Sequence, residues 1–219
     1  MDADFVSSDA KWVTGFWSKS LFFGLWRFFV KALEERILKE GVVLPGNILK
    51  VGSFLNHQID VAFIMEMGRE IARLFENAGV TKILTIETSG IPIAVGAAAA
   101  MNVPVLFAKK HKTSNLSGDN YSTVVHSYTH NTDYTVVVSR DFLSSDDCVL
   151  IVDDFLANGK ALEGLIDLVN QAGAKLAGTS CAIEKGFQGG GDSLREQGVR
   201  VESLAIIEEM TDSSVTFRA

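Results

Sequence analysis

The segment Val149-Leu150-Ile151-Val152-Asp153-Asp154-Phe155-Leu156-Ala157-Asn158-Gly159-Lys160-Ala161 limits what this chain can fold into more than any other. Its first four residues are apolar and mostly β-branched. A run so short, without polar alternation, reads as a strand buried on both faces. Such strands sit in parallel sheets covered by helices, and ligands gather at their carboxyl ends. Asp153 and Asp154 stand at that end. From Ala161 to Val169 apolar residues recur at helical spacing, so the turn Ala157 to Ala161 feeds a helix amino terminus, where exposed N–H groups and the helix dipole favour a phosphate. Each acid taken alone has a plainer reading, as a helix cap or a turn residue.

A chain of 219 residues, 47% hydrophobic and 21% charged, has room for one α/β domain with a full core plus an embellishment, whereas two complete domains would be cramped. The net charge of −7 argues against broad nucleic-acid binding, which needs a basic surface to neutralise phosphates. Cys148 and Cys181 lie at or within apolar runs with no metal-like or redox-like neighbour, which fits buried, reduced thiols in an intracellular protein. The histidines at 57, 111, 126 and 130 form no convincing metal cluster, so no protein metal site is expected.

Periodicity sets out the remaining elements. Ile64, Met67, Ile71, Leu74 and Phe75 recur at helical spacing between a cap at Asp60 and a stop at Gly79. Lys82 to Ile86 reads as a strand. A second helix starts near Ile91, with Pro92 in its first turn, and a strand from Pro104 to Ala108 follows it. From Lys109 to Asp133 the chain turns polar, which suits a mobile loop joined to a hairpin of Ser122 to Tyr128 and Tyr134 to Ser139. Beyond the central segment come a strand from Leu176 to Ile183, a glycine-rich turn at Gly189 to Gly191 and a strand from Val201 to Ile207. Strands alternating with helices indicate a mostly parallel, doubly wound sheet.

Two further segments carry charge or exposed amides to strand ends. Glu87-Thr88-Ser89-Gly90 follows a strand and precedes a helix, so it reads equally as an anion loop or as a turn capped by Thr88 or Ser89. Lys109-Lys110-His111-Lys112 reads by itself as a solvated basic face, yet in an acidic chain it is well placed to neutralise a polyanion.

Together with Leu49 to Gln58 and Ile183-Glu184-Lys185-Gly186-Phe187, these motifs resemble, in order and spacing, the type I phosphoribosyltransferases, and among them the bacterial members that use xanthine. The likeness covers residues 31 to 219. It implies an α/β type I phosphoribosyltransferase fold, a mostly parallel doubly wound sheet with flanking helices, a flexible loop or hairpin and a small hood. It further implies transfer of a 5-phosphoribosyl group from phosphoribosyl pyrophosphate (PRPP) to N9 of xanthine, giving xanthosine 5′-monophosphate and pyrophosphate in purine salvage.

By this resemblance Asp153 and Asp154 lie beside the ribose hydroxyls of PRPP. The turn Ala157, Asn158, Gly159, Lys160 and Ala161 holds its 5′-phosphate, and Ser89, Lys110 and Lys112 serve its pyrophosphate. Many relatives have threonines where this chain has Asn158 and Ala161, which leaves more of the binding to backbone donors. Ala157 stands where hypoxanthine-guanine enzymes carry an acid, so an obvious general base is missing. Leu49, Asn56 and Lys185 match positions that contact xanthine, although each alone reads as core, turn or surface. Phe187 reads as a core aromatic before a stacking one. The resemblance also implies magnesium carried with PRPP, a cytoplasmic location and a homodimer. A PRPP-sensing purine regulator without turnover and an enzyme for another purine, such as adenine or guanine, stand as alternatives.

Residues 1 to 30 form an extension ahead of the expected domain, and residues 12 to 30 hold all three tryptophans. The apolar run from Leu21 is short of the roughly 20 residues a span needs, and Lys19 and Arg27 interrupt the segment, so no stable membrane span is expected. Two readings stand open: an amphipathic segment lying at an interface, or a start assigned too early, with Val30 as the natural first residue.

Overall fold

The computed structural model describes residues 31–111, 119–127, 132–211 and 213–218. The extension, Lys112 and His130 lie outside the described residues. A helix over residues 31–40 (α1) leads into a small hairpin, β1 (Val42–Leu44) and β2 (Ile48–Lys50), and then a π-helical turn, Gly52–Asn56. The main body continues with α2 (Val61–Leu74), β3 (Lys82–Ile86), α3 (Ile91–Met101), β4 (Val105–His111), β5 (Asn120–Ser127) and β6 (Thr132–Ser139). It ends with β7 (Cys148–Leu156), α4 (Lys160–Gln171), β8 (Lys175–Lys185), α5 (Gly190–Glu196), β9 (Val201–Met210) and β10 (Val215–Phe217).

One eight-stranded sheet runs β10-β9-β8-β7-β3-β4-β6-β5. Its centre, β9-β8-β7-β3-β4, is parallel, and antiparallel strands close both edges. From β3 the chain winds outward to β4 and then returns to the far side of β3 as β7, so the order reverses between β3 and β7. In open α/β sheets that reversal opens a crevice at the carboxyl ends of the two strands. Here the ladder joining them runs only from Lys82↔Val149 to Leu84↔Ile151, and both strands continue beyond it.

Two apolar layers hold the sheet. Ile64, Met67 and Ile71 of α2 and Ile93 and Ala97 of α3 pack with Leu150 and Val152 on one face. Leu162, Leu165 and Leu168 of α4 pack with Val149, Ile151 and Val136 on the other. Each fully buried leucine or isoleucine is worth about 1.5–3 kcal/mol relative to an exposed one. Asp60 caps α2 as expected, accepting from the Phe63 N–H at 3.1 Å. Its other carboxylate oxygen takes the Arg36 guanidinium at 2.7 Å, and that guanidinium also lies over the Phe54 and Phe63 rings. One arginine of α1 thereby ties the π-helical turn to α2.

Several elements differ from the sequence expectation. The acids lie inside β7, which continues through Phe155 and Leu156, because β8 pairs along that whole length from Cys148↔Lys175 to Leu156↔Glu184. The expected loop from Lys109 begins later: Lys109 to His111 extend β4 by pairing with β6. The glycine-rich turn at 189–191 opens the short helix α5, and β10 adds an unexpected edge strand. Phe187 is 36% exposed and belongs to no core layer.

Candidate active site

The crevice between β3 and β7 collects the charged and polar groups. Asp153 is 6% exposed and its Oδ1 accepts the Asp154 N–H at 3.0 Å. Burial first, and the neighbouring Asp154 carboxylate second, push the Asp153 carboxyl well above its ordinary range, with the Lys110 ammonium pulling the other way. Asp154 is half-buried, and its Oδ2 accepts from the Asn56 side-chain amide at 3.2 Å. Neither acid caps a helix: the N-cap of α4 is Gly159, φ +84°, and α4 has no side-chain cap.

The turn after β7 is shaped by its own polar atoms. The Asn158 side-chain oxygen accepts the Lys160 N–H at 3.2 Å, a local turn that bends the backbone around the start of α4. Lys160 directs its ammonium to Glu163 at 2.7 Å. Ala157 and Ala161 have no side chain beyond Cβ, which leaves the loop open to an anion seated on its amides.

Across the crevice, the Glu87–Gly90 loop leaves β3 and enters α3 with Gly90 as the cap, so neither Thr88 nor Ser89 caps that helix. The Glu87–Thr88 peptide is cis. Ser89 is half-buried. A Cβ on Gly90 would stand 2.3 Å from the Thr85 hydroxyl and 2.6 Å from Asp153 Oδ1, so this loop packs directly on the buried acid. Gly90→Ala is expected to push Asp153 out of line and cost about tenfold in PRPP affinity, with a lower melting temperature as the overpacking penalty of about 1–3 kcal/mol. Calorimetric titration with PRPP and a thermal melt check this, and unchanged values for both would break the argument.

Lys110 approaches from β4. Its N–H donates to the Glu87 carboxylate at 2.6 Å, and its ammonium lies 5.2 Å from the centre of the Tyr134 ring. Burial, then the Asp153 charge, raise the Tyr134 hydroxyl above its ordinary value, which places Lys110, Tyr134 and Asp153 in one electrostatic neighbourhood. Tyr134 was not legible in the sequence as a site residue, since an aromatic in a β-rich hairpin reads as packing.

Lys185, at the end of β8, donates to the Asn47 carbonyl at 2.8 Å and lies 5.7 Å from the Phe155 ring centre. Burial lowers its pKa. Asn47 sits at the tip of the β1–β2 hairpin with φ +61°, and through it the small hairpin reaches Lys185 at the end of β8. The Gly46-Asn47 turn was a signal available in the sequence. Leu49, on β2, is 7% exposed and belongs to the core layer beneath that hairpin. The structure thus joins Asn56 to Asp154 by a hydrogen bond and sets Lys110 within electrostatic reach of Asp153, while Leu49 stands behind as core. Among the described residues no three His, Cys, Asp or Glu side chains converge as a metal cluster.

The phosphoribosyl transferase domain model matches residues 53–201, which sets this fold and its crevice in the phosphoribosyltransferase class. The xanthine phosphoribosyltransferase of Lachnoclostridium phytofermentans is 53% identical over 191 residues, 86% of this chain and 98% of that protein. Those of Bifidobacterium adolescentis and Limosilactobacillus reuteri are 53% and 48% identical over 193 and 188 residues, spanning 87% and 86% of this chain and 100% and 98% of theirs. The chain belongs to the xanthine phosphoribosyltransferase family of type I phosphoribosyltransferases. Solved structures of adenine phosphoribosyltransferases share the fold: that of Giardia lamblia superposes with a TM-score of 0.66 at 19% identity, over 83% of this chain and 98% of its own, and that of Rhodothermus marinus with 0.65 at 20%, over 83% and 99%.

Proposed function

We propose that this protein transfers the 5-phosphoribosyl group of PRPP to N9 of xanthine, releasing pyrophosphate and forming xanthosine 5′-monophosphate for purine salvage. The observation that carries this reading is the Asn56–Asp154 hydrogen bond of 3.2 Å, which sets an amide able to read a base edge next to a carboxylate able to hold ribose hydroxyls. The N–C bond of the product has to form between two such groups.

In this reading the amides of Ala157 to Ala161 hold the 5′-phosphate and Asp154 accepts from the ribose hydroxyls, with Asp153 as its buried support. The Glu87–Gly90 loop, including Ser89, and the ammonium groups of Lys110 and Lys112 are assigned to the pyrophosphate. Asn56 and Lys185 hold opposite edges of xanthine, with Leu49 as apolar backing. Xanthine ionises near neutral pH, and the Lys185 ammonium favours its anion, so the base arrives with little need of a catalytic carboxylate. That accounts for Ala157 where an acid could stand. The bond from ribose C1 to pyrophosphate breaks as N9 bonds to C1, and the protein contributes alignment and positive charge on the departing group. Magnesium would arrive with PRPP, held mainly by the substrate with Asp154 as a hard oxygen donor of the protein, and would supply further positive charge to the departing group.

Residues 31–219 are inferred to make up the catalytic domain, with 1–30 as an extension, and the protein is inferred to work in the cytoplasm as a homodimer. No helix among the described residues is long and apolar enough to cross a membrane. The deciding experiment offers xanthine, guanine, hypoxanthine and adenine separately with PRPP and magnesium, across a pH range bracketing xanthine ionisation. Product from xanthine at rates well above the others is the expected result. Tight PRPP binding with no turnover on any base would replace the enzyme by a PRPP sensor.

A further inference from the structure

Glu184 immediately precedes Lys185 and is fully buried. A carboxylate removed from water is destabilising unless it is paired and hydrogen-bonded, and this one is well supplied. The Arg195 guanidinium of α5 donates to both its oxygens, at 2.9 and 2.7 Å, and the Ser203 hydroxyl of β9 donates to one of them. Nothing in the reaction as described uses this group.

Its surroundings indicate a purpose. A Cβ on Gly191 would lie 2.1 Å from Glu184 Oε1, so α5 begins flush against the carboxylate. The preceding Gly190 donates its N–H to the Ala157 carbonyl at 3.2 Å. A Cβ there would lie 2.4–2.5 Å from the backbone of Ala157, Asn158 and Gly159. The phosphate turn therefore rests on the start of α5, and α5 rests on Glu184 and is held down by Arg195. Arg195 also bonds Asp192 at 2.9 Å, and Arg218 grips Asp192 at 3.0 and 3.1 Å, so the helix is fastened at both ends of its first turn and a half.

We propose that Glu184 and Arg195 form a positioning pair that sets the phosphate turn and Lys185 in a single frame, and so fixes the spacing between the 5′-phosphate and the base. This rests on the assignment of the turn to the 5′-phosphate and of Lys185 to xanthine. Sequence proximity delivers the second half of the linkage, since Lys185 shares a peptide bond with Glu184. The contact through Gly190 and Gly191 delivers the first.

The pair is separable from stability, because exchanging a buried ion pair for apolar residues of similar volume is often neutral in stability or better. The test compares the wild type with the double variant Glu184→Met/Arg195→Met, reading melting temperature, PRPP affinity by calorimetry without base, and steady-state kinetics for both substrates. A folded double variant is expected to lose about tenfold or more in PRPP affinity and to raise KM for xanthine, the scale on which small misplacements cost rate and binding. Arg195→Lys, which keeps the charge and one bond, is expected to retain most of the affinity. A folded double variant with wild-type PRPP affinity and kinetics overturns the proposal. Should the double variant not fold, Glu184→Gln decides, since it keeps the shape and loses the charge, with PRPP binding read well below that variant's own melting temperature: weaker binding by the folded variant supports the pair, and wild-type binding refutes it. Binding of PRPP is read without xanthine, so failure of the reaction assignment would show as absent turnover in the wild type and failure of the Lys185 assignment as unchanged xanthine kinetics in Lys185→Ala.

Discussion

Asp154→Asn is expected to lower kcat/KM for PRPP by two to three orders of magnitude in a protein that still folds. A hydrogen bond to a charged group is worth about 1.5–3 kcal/mol, and the carboxylate is assigned two ribose hydroxyls. Two such bonds come to about 3–6 kcal/mol, of which the asparagine oxygen keeps part, and a loss of about 3–4 kcal/mol corresponds to about 10²–10³ in rate. Folding should survive because Asp154 is half-buried and its hydrogen-bonded side-chain partner is Asn56, to which an asparagine can still offer a carbonyl oxygen. Asp153→Asn should cost less, since burial and the Asp154 charge already hold Asp153 toward its neutral form. Steady-state kinetics with PRPP varied, alongside circular dichroism and a melt, separate the two. Wild-type turnover by Asp154→Asn would remove it from the site.

Lys185→Ala is expected to fall about 100-fold in kcat/KM for xanthine, the loss of one charge-assisted hydrogen bond in a partly buried place, with KM for PRPP nearly unchanged. The pH profile carries the sign. Activity rises with pH as xanthine becomes the anion, then falls as the Lys185 ammonium loses its proton. Burial lowers that proton's pKa, so the fall begins below the ordinary lysine value near 10.5. Lys185→Arg keeps a cation that does not deprotonate in this range, so its alkaline limb should move outward even if its rate is lower. A wild-type profile with no alkaline fall, or an alkaline limb unmoved in Lys185→Arg, would detach Lys185 from the base.

The apolar run Val149 to Val152 and the helical spacing after Ala161 were enough to place the strand, the turn after it and the helix that follows, because a buried parallel strand and an amphipathic helix each leave a local periodic mark. The same logic found α2, β3 and α3 close to their observed limits. It failed where structure depends on a distant partner. The acid pair looked like the end of a strand, yet β8 carries the ladder past it to Leu156. Gly189 to Gly191 looked like a turn, and became a helix start because Glu184 and Ala157 receive its glycines.

Of the candidate site, Asp153 and Asp154 stood out from the residues themselves and Lys110, Asn56 and Lys185 only through the family resemblance, whereas the company each keeps was not legible at all. The pairing of Asn56 with Asp154, 98 positions apart, and of Lys185 with Asn47, 138 apart, leaves no trace in spacing. Tyr134 and Arg195 carried no signal, since a cation over a ring or against a buried carboxylate exists only once the sheet has brought two strands together. By itself the sequence determined the α/β class and the strand, acid pair, turn and helix in their order, because these rest on contacts among near neighbours. Tertiary structure alone decided which acid is buried, what supports the turn and how the base-side groups meet the ribose side, because desolvation and long-range hydrogen bonds depend on what the fold packs around each group.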